Sequence, residues 1–478
     1  MKRSIRLIKP ALLALTLALG GCAAGPDFRS PDVPMPPRYT GIGEVSDSIV
    51  NLRWWRLFPD TTLQRLIRRA IVNNQDVGIA LSRVEQARRN MQATKADLFP
   101  VLKYNASGGY GTMTSMGIKP PHPVEDYDIN LALGWELDFF GKVRRSTESA
   151  RAQLLATDYG VRATYLSLIS GVAEAYFSLL GYELSLDIAQ RTLETRTRTL
   201  QLIEASFSRG TVSAIDANQA KVQQSIAAAA VPQYERAIAQ TKHAICVLTG
   251  DYASDDLVTG TPLMRQHLPG DIPVGIPSDL LERRPDVLEA YYSLASQNAM
   301  IGVAQAMRYP SISLTGQGAL ISDDITKLFT GDALVWSAGI NLAGPIFQFS
   351  KNKRQVQIER EKTHEALLNY EKTILTAFKE VEDALVGVRT YKQQSEAYET
   401  MVDAARKARE LSQQKYVRGM AAYLDVLDAD RSLFQAELEY AQTVEQRLTS
   451  FVTLYKALGG GWISPEEEQH YSDNNQRK

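Results

Sequence analysis

The feature that most restricts the fold of this chain is an internal duplication. Arg209-Gly210 opens a helical arm that Leu248-Thr249-Gly250 closes, and Arg418-Gly419 opens a second arm that Leu458 and the Gly459-Gly460-Gly461 run close, 209 positions further on. Within the arms, Ile215-Asp216 stands where Leu424-Asp425 stands, and apolar residues recur at Leu427, Phe434, Leu438, Ala441, Leu448 and Tyr455. Upstream, Val161, Tyr165, Leu168, Val172, Ala175 and Leu179 set a heptad-like seam that Tyr370, Ile374, Ala377, Val381, Ala384 and Val388 repeat at the same offset. Asn73-Asn74-Gln75-Asp76 through Leu98-Phe99-Pro100 matches Arg283-Arg284-Pro285-Asp286 through Arg308-Tyr309-Pro310 at an offset of 210. Any two coiled-coil segments share a heptad. Here the glycines, the aromatic-proline helix ends and the strands keep register too, so the chain reads as two copies of one unit.

Each copy holds one very long helical pattern free of proline, Lys142 to Ser208 and Lys351 to Val417. At 1.5 Å per residue each is roughly 100 Å long, too long for a compact domain, so such rods need neighbours along their length. Ala227 to Ala230 permits close helix packing, and the remaining faces mix Glu, Gln, Lys and Arg as a solvated bundle requires. Asp60 or Thr61 is the expected N-cap of an earlier helix carrying Leu63, Leu66 and Ile67, anchored by Trp54-Trp55 and Phe58.

Four strand candidates lie between the helices, at about 101–111, 127–140, 311–321 and 333–343. From Tyr127 to Phe139 every odd position is apolar, while the even ones are Asp128, Asn130, Ala132, Gly134, Glu136 and Asp138. Leu102, Tyr104, Ala106, Gly108 and Tyr110 alternate with Lys103, Asn105 and Ser107; Ile312, Leu314 and Leu320 oppose Ser313, Thr315 and Gln317; Leu334, Trp336, Ala338, Ile340 and Leu342 complete the set. One face suits lipid and the other water. A soluble sheet with one wet face has the same alternation. No nearby helix has an apolar face free to cover four strands, however, and Tyr104, Tyr110, Tyr127, Trp135 and Trp336 suit interfacial girdles. A transmembrane barrel needs at least about eight strands, so this one must be shared between subunits.

At the N-terminus Lys2, Arg3, Arg6 and Lys9 precede the apolar run Ala11 to Leu19, which is far short of the roughly 20 residues of a membrane-spanning helix. Leu19-Gly20-Gly21-Cys22 is a lipobox: a nucleophilic thiol at Cys22 takes the lipid once the signal is removed, and Ala23 after it reads as outer-membrane sorting. Without the signal, Lys plus Arg falls from 53 to 49 against 54 Asp plus Glu, so the mature chain is acidic and nucleic acid is not an expected partner. Only Cys246 then remains as a free thiol, expected as a small core residue on a helix. The expected layout is a signal peptide at 1–21, an acylated proline-rich tether at 22–50, a first repeat at 51–260, a second at 261–462 and a polar tail at 463–478.

Enzymatic readings find no support in the residues. His122, His243, His267, His364 and His470 lie far apart without metal-ligand spacing, no serine sits in a nucleophile elbow, and Gly459-Gly460-Gly461 lacks the lysine and following helix of a phosphate loop. Asp323-Asp324 falls in a turn between strands, where solvated acids are ordinary. No cofactor or metal is expected, only the covalent lipid on Cys22.

Several segments together carry a family resemblance: Cys22, Trp54-Trp55-Arg56-Leu57-Phe58, Ala96-Asp97-Leu98-Phe99-Pro100, Trp135-Glu136-Leu137-Asp138-Phe139-Phe140-Gly141, Leu280 through Asp286, Tyr309 through Leu314, and Tyr455 through Trp462. Over nearly its whole length the chain resembles the outer-membrane factors of tripartite efflux systems, the TolC-like channels, and among them the OprM-type lipoproteins. The resemblance implies a homotrimer with a 12-stranded barrel, four strands per chain, on a long α-helical coiled-coil tunnel in the periplasm. It also implies a passive duct for drugs or other small toxic compounds, working with a periplasmic adaptor and an inner-membrane transporter. A protein-secretion duct and a non-conducting structural lipoprotein are the alternatives. Loss of a secreted protein, or absence of single-channel conductance, would distinguish them from the efflux reading. Matching positions imply a pore constriction at Leu424 and Asp428, one helical turn apart, and gate-lock side chains at Lys415, Tyr416, Arg418 and Asp425. Lys415 and Val417 stand where the most similar relatives carry arginines, which implies a weaker lock.

Overall fold

The computed structural model describes residues 23–39, 59–114, 116–117, 119–253, 260–266 and 280–460. Cys22, the Trp54-Trp55 and Phe58 anchor, Gly461-Trp462 and the polar tail lie outside them. In chain order the elements are α1 (Thr61–Asn73), α2 (Gln75–Ala96), β1 (Val101–Gly111), β2 (Val124–Leu137), α3 (Lys142–Ser208), α4 (Ala214–Thr249), α5 (Leu280–Arg283), α6 (Pro285–Ala306), β3 (Ser311–Ser322), β4 (Leu334–Ala343), α7 (Lys351–Val417) and α8 (Tyr423–Ala457). The fold is mainly helical with one small sheet, and both long helices, 67 residues each, begin and end where the sequence pattern does.

One compact unit comprises the chain up to Val33 with Arg83–Asp158 and Glu289–Glu371. Its sheet is four-stranded and antiparallel in the order β1-β2-β3-β4. The register puts Tyr104 opposite Leu131 and Leu131 opposite Gly318; Leu102 opposite Leu133; and Leu314 between Trp135 and Ile340. The other face pairs Asn105 with Asn130, Lys103 with Ala132, and Gln317 with both Ala132 and Ser337. Because side chains alternate with period 2, these pairs put the apolar sets of all four strands on a single face.

β2 differs from its expected span: it runs Val124–Leu137 rather than 127–140. Asp138, expected on the polar strand face, instead accepts from the amides of Val143 and Arg144, both at 2.9 Å, and so satisfies unpaired N–H groups at the start of α3. β4 begins at Leu334, since Ala333 closes a short 3₁₀ turn.

The same unit holds the N-terminal strap. Arg145, buried, donates to the carbonyls of Ala24 (3.1 Å) and Gly25 (3.3 Å) and pairs with Asp27 (2.7 Å). Asn298 donates to the Pro26 carbonyl, and the Phe28 ring meets Tyr291 edge-on. Gly25 has φ +99, and a Cβ there would lie 2.4 Å from the Gly302 Cα, so the strap fits only as glycine against glycine.

The second unit comprises Pro34–Ser82, Tyr159–Leu288 and the chain from Lys372. Val172, Tyr176, Phe177 and Leu179 of α3 and Val381 of α7 are fully buried, as the heptad seam requires, and Cys246 of α4 is buried too. α3 contains one stretch apolar enough by composition to cross a membrane, but 61% of that stretch is buried within the chain, so it is a packing seam. Asp60 is the N-cap of α1, accepting from Thr62 (2.8 Å) and Leu63 (3.3 Å). Its second oxygen accepts from the Tyr176 hydroxyl (2.9 Å), Gln266 (2.7 Å) and the Thr261 amide (3.2 Å).

Residues 209 or 210 positions apart make related contacts. Asn74 donates to the Leu248 carbonyl at 3.0 Å and Arg284 to the Ala457 carbonyl at 3.0 Å, each satisfying the C-terminal end of its own arm. Gly250 and Gly459 both have positive φ (73 and 69), and a Cβ on either would meet the backbone of Asn73 or of Arg283 and Arg284. Gly460, expected to share in the cap, has no positive φ.

Candidate functional site

Two regions carry the residues singled out above. The first is the sheet's apolar face. Tyr104 (84%), Trp336 (78%), Ile340 (76%) and Leu342 (67%) are exposed to a degree that a water-soluble sheet does not sustain, and they form one patch because the register aligns them. Within the chain β1 and β4 each pair on one side only, so the sheet has two open edges.

The second region is the turn between α7 and α8. Gly419, at φ 71, lets the chain reverse: the Gly419 amide donates to Tyr416 (2.9 Å) and the Met420 amide to Lys415 (2.8 Å). The Asp425 carboxylate accepts from the Ala422 amide (3.0 Å), which secures the start of α8. The turn between α3 and α4 is built alike, with Gly210 at φ 73 and a reciprocal Ser213–Asp216 capping box. Beneath these turns Ile203, Ala220, Tyr423, Val426 and Leu427 form a buried cluster, with Tyr416 and Val212 packed against it.

On α8 the buried residues Tyr423, Val426 and Leu427 define one face, and Leu424 lies on the other, 51% exposed. Leu424 is therefore not part of the chain's own core. Asp428, one turn on, is 65% exposed and lies 3.8 Å from Arg431. The sequence reading missed that arginine, although its i,i+3 spacing is a legible signal.

The gate-lock candidates separate. Tyr416 packs on Tyr423 with ring centroids 5.7 Å apart, and burial, with Asp216 nearby, pushes its hydroxyl pKa up. Burial likewise pushes Tyr423 up to about 12. Lys415 and Arg418 are exposed and form no ion pair among the described residues, while Asp425 is occupied as a cap. The structure thus brings Tyr416 into the cluster, uses Asp425 as a cap, and joins neither cation to Asp425 or to another acid among the described residues.

A buried polar link near the turns has no counterpart in the sequence pattern. Arg196 of α3, only 4% exposed, pairs with Asp430 of α8 at 2.8 Å, donates to the Gln223 carbonyl at 3.0 Å, and lies 4.8 Å above the Phe434 ring. Arg409 of α7 approaches Asp430 at 3.6 Å. One acid thus joins α3, α7 and α8.

A family profile described as "Outer membrane efflux protein" matches residues 66–251 and again 276–460. The solvent efflux pump outer membrane protein SrpC of Pseudomonas putida is 35% identical over 456 residues, covering 93% of this chain and 97% of its own. A Salmonella typhimurium protein named "Probable outer membrane lipoprotein SilC" is 31% identical over 469 residues, covering 96% of this chain and 100% of its own. Among solved structures, the open state of the Neisseria gonorrhoeae MtrE outer membrane channel superposes with a TM-score of 0.83 at 30% identity, covering 92% of this chain and 99% of that one.

Proposed function

The chain belongs to the outer membrane efflux protein family, and from that premise we propose that three copies assemble into one passive exit duct whose 12-stranded barrel takes four strands from each. The protein is an outer-membrane efflux channel, and its family is one of ducts, not of enzymes. The observation that carries the shared barrel is the sheet: one apolar face in register across four strands, with both edges open. Four strands cannot close alone, and open edges in hydrocarbon leave backbone groups unsatisfied, so closure has to come from further copies.

The rest of the reading follows from the same family relation. Residues 1–21 are a signal peptide, Cys22 carries the lipid, and 51–260 and 261–462 are two repeats of one unit, in keeping with a family profile that matches twice. A periplasmic adaptor joins the duct to an inner-membrane transporter that supplies energy and chooses the cargo, here small toxic compounds such as drugs or solvents. Leu424 and Asp428 from three copies ring the passage as an apolar and a carboxylate constriction, supported by their exposure on the face of α8 away from its buried cluster. Lys415, Tyr416, Arg418 and Asp425 hold the turn shut, a reading supported by the exposure of Lys415 and Arg418 beside the turn and the packing of Tyr416 on its cluster.

The test is reconstitution. Purified protein in planar bilayers should conduct as discrete trimeric channels, and a deletion strain should accumulate small dyes and drugs until the gene is restored. Trimers that never conduct, or unchanged accumulation, would refute the duct.

A further inference from the structure

We infer that the cavity where the ends of β2 and α6 meet the start of α7 binds amphipathic organic anions, with the acid head on Lys351 and the first amides of α7 and the apolar body along Phe140, Met300 and Tyr309. The inference rests on the duct reading above, which turns the polar face of the sheet toward the passage, and it gives that passage a chemical preference.

The two long helices begin alike. α3 starts at Lys142 and α7 at Lys351, 209 positions on, and each follows a residue of positive φ, Gly141 (76) and Ser350 (68). The Arg145 amide donates to the Gly141 carbonyl and the Arg354 amide to the Ser350 carbonyl, both at 2.9 Å. On this shared backbone the first repeat carries two acids. Asp138 accepts from the Val143 and Arg144 amides, both at 2.9 Å, and pairs with the Arg144 guanidinium at 3.2 Å, while Glu136 pairs with Lys142 at 3.3 Å. In the second repeat Phe347 stands in the place of Asp138 and Pro345 in that of Glu136. The cations persist as Lys351 and Lys353, and the two amides are those of Asn352 and Lys353. Among the described residues neither amide has an acceptor and neither lysine has an ion pair. An acid head seated as the Asp138 carboxylate is seated would satisfy both amides and offset Lys351, at the helix end where a negative charge is favoured.

The cavity supplies a seat for the rest of the molecule. Its volume is about 580 Å³, in the range of small-molecule sites. Lys351 and Asn352 line it, and Phe140, Met300, Met307 and Tyr309 give it an apolar wall. Phe140 stacks on Tyr309 with ring centroids 4.5 Å apart, and the Asn352 side chain donates to the Met307 carbonyl at 2.7 Å, so the wall is held in place. Glu136, Ser311 and Ala343 border the cavity and belong to the polar face of the sheet, the side turned to the passage. Each acid of the lining is already engaged: Glu136 with Lys142, Asp138 with the start of α3, and Glu359 with Gln297 (2.8 Å), Gln355 (2.9 Å) and Lys362 (3.1 Å). Lys351 is the charge of the lining without a counter-ion among the described residues. One uncompensated cation beside an apolar wall selects an anion carried on an apolar body.

Binding is measured on full-length protein in phosphatidylcholine nanodiscs, with empty nanodiscs as the blank, from the fluorescence of a dansyl-labelled undecanoic acid and of its neutral primary amide. The carboxylate should bind saturably and about tenfold tighter than the amide, the difference expected of one charge-assisted contact. Lys351→Met should weaken the carboxylate about tenfold and leave the amide unchanged. Phe347→Asp restores the acid of the first repeat and should exclude the carboxylate by closing the two amides from within the chain. Equal binding of the two probes, or parent-like binding of the carboxylate by both variants, would overturn the inference. Loss of carboxylate binding when the disc lipid is phosphatidylglycerol would also overturn it, by making the cavity a seat for lipid headgroups. Any of these results from protein that conducts leaves the duct reading standing, whereas protein that never conducts overturns both.

Discussion

Replacing Leu133 by arginine tests the sheet's orientation against its neighbour in the chain. Leu133 lies between Leu102 and Gly316 on the apolar face, and Gly134 lies between Val101 and Thr315 on the other. A Cβ at Gly134 would meet nothing within 4 Å, so Gly134→Arg enters open space with no packing cost, and leaving glycine favours the strand. On the lipid side an arginine near the bilayer midplane costs about 2–4 kcal/mol. The proposed trimer carries the change three times, so Leu133→Arg should cost at most roughly 6–12 kcal/mol per assembly, less with distance from the midplane, and deplete SDS-resistant trimers. Gly134→Arg should assemble normally and shift conductance toward anions. The assay is seminative electrophoresis of outer-membrane extracts, followed by bilayer recordings of whatever trimer forms. Equal tolerance of both arginines would refute the assignment of faces, as would loss of trimers from Gly134→Arg alone.

At the turn, Leu424→Ala with Asp428→Ala should raise single-channel conductance and admit large hydrophilic antibiotics, while Asp428→Asn alone should lower cation selectivity and Arg431→Ala raise it. Unchanged recordings from correctly assembled trimers would exclude the constriction. Burial pushes the Asp60 carboxyl up, but hydrogen bonds from Gln266, Tyr176 and the amides of Thr62 and Leu63 outweigh it and hold the group below its ordinary 3.8. A depressed folded pKa stabilises above the unfolded value and is lost as pH falls through the folded one. Asp60→Asn should therefore cost about 1–2 kcal/mol at pH 7, and the gap to the parent protein in denaturant melts should narrow below about pH 4. With an ordinary signal peptide grafted on, Cys22→Ser should still give conducting trimers, because a closed barrel holds itself in the membrane; a soluble periplasmic product would contradict the barrel.

What the sequence disclosed was local. Both long helices end where the pattern ends because Gly210 and Gly419 must take positive φ, and the four strands are evident because one face of each is apolar. β2 departs from its expected span at both ends, and at the C-terminal end the reason is visible: Phe139 continues the alternation, but Asp138 is drawn out of the strand by the first amides of α3, a competition that alternation cannot register. Leu424 and Asp428 came from family positions; both are exposed in the single chain, and their place at a constriction is a proposal. The contacts of Arg145, Arg196 and Arg284 were not legible, although Arg284 itself stands in the repeat match. Each is a buried guanidinium whose partners lie far along the chain, such as Ala24, Asp430 and Ala457, and a surface arginine reads the same.

The β2–β3 pairing that joins Leu133 to Gly316 also fixes an order of events. Emerging N-terminus first, the chain completes the β1–β2 hairpin early, but β3 follows only after α3, α4, α5 and α6. Helices form within about a microsecond, whereas a contact across so long a loop forms late. Through that interval the first hairpin carries Tyr104 and Leu131 on an uncovered face with its β2 edge unpaired, the profile of an aggregation-prone intermediate. A fragment ending after β2 should therefore aggregate under conditions where the full-length chain stays dispersed, which light scattering on the two would show.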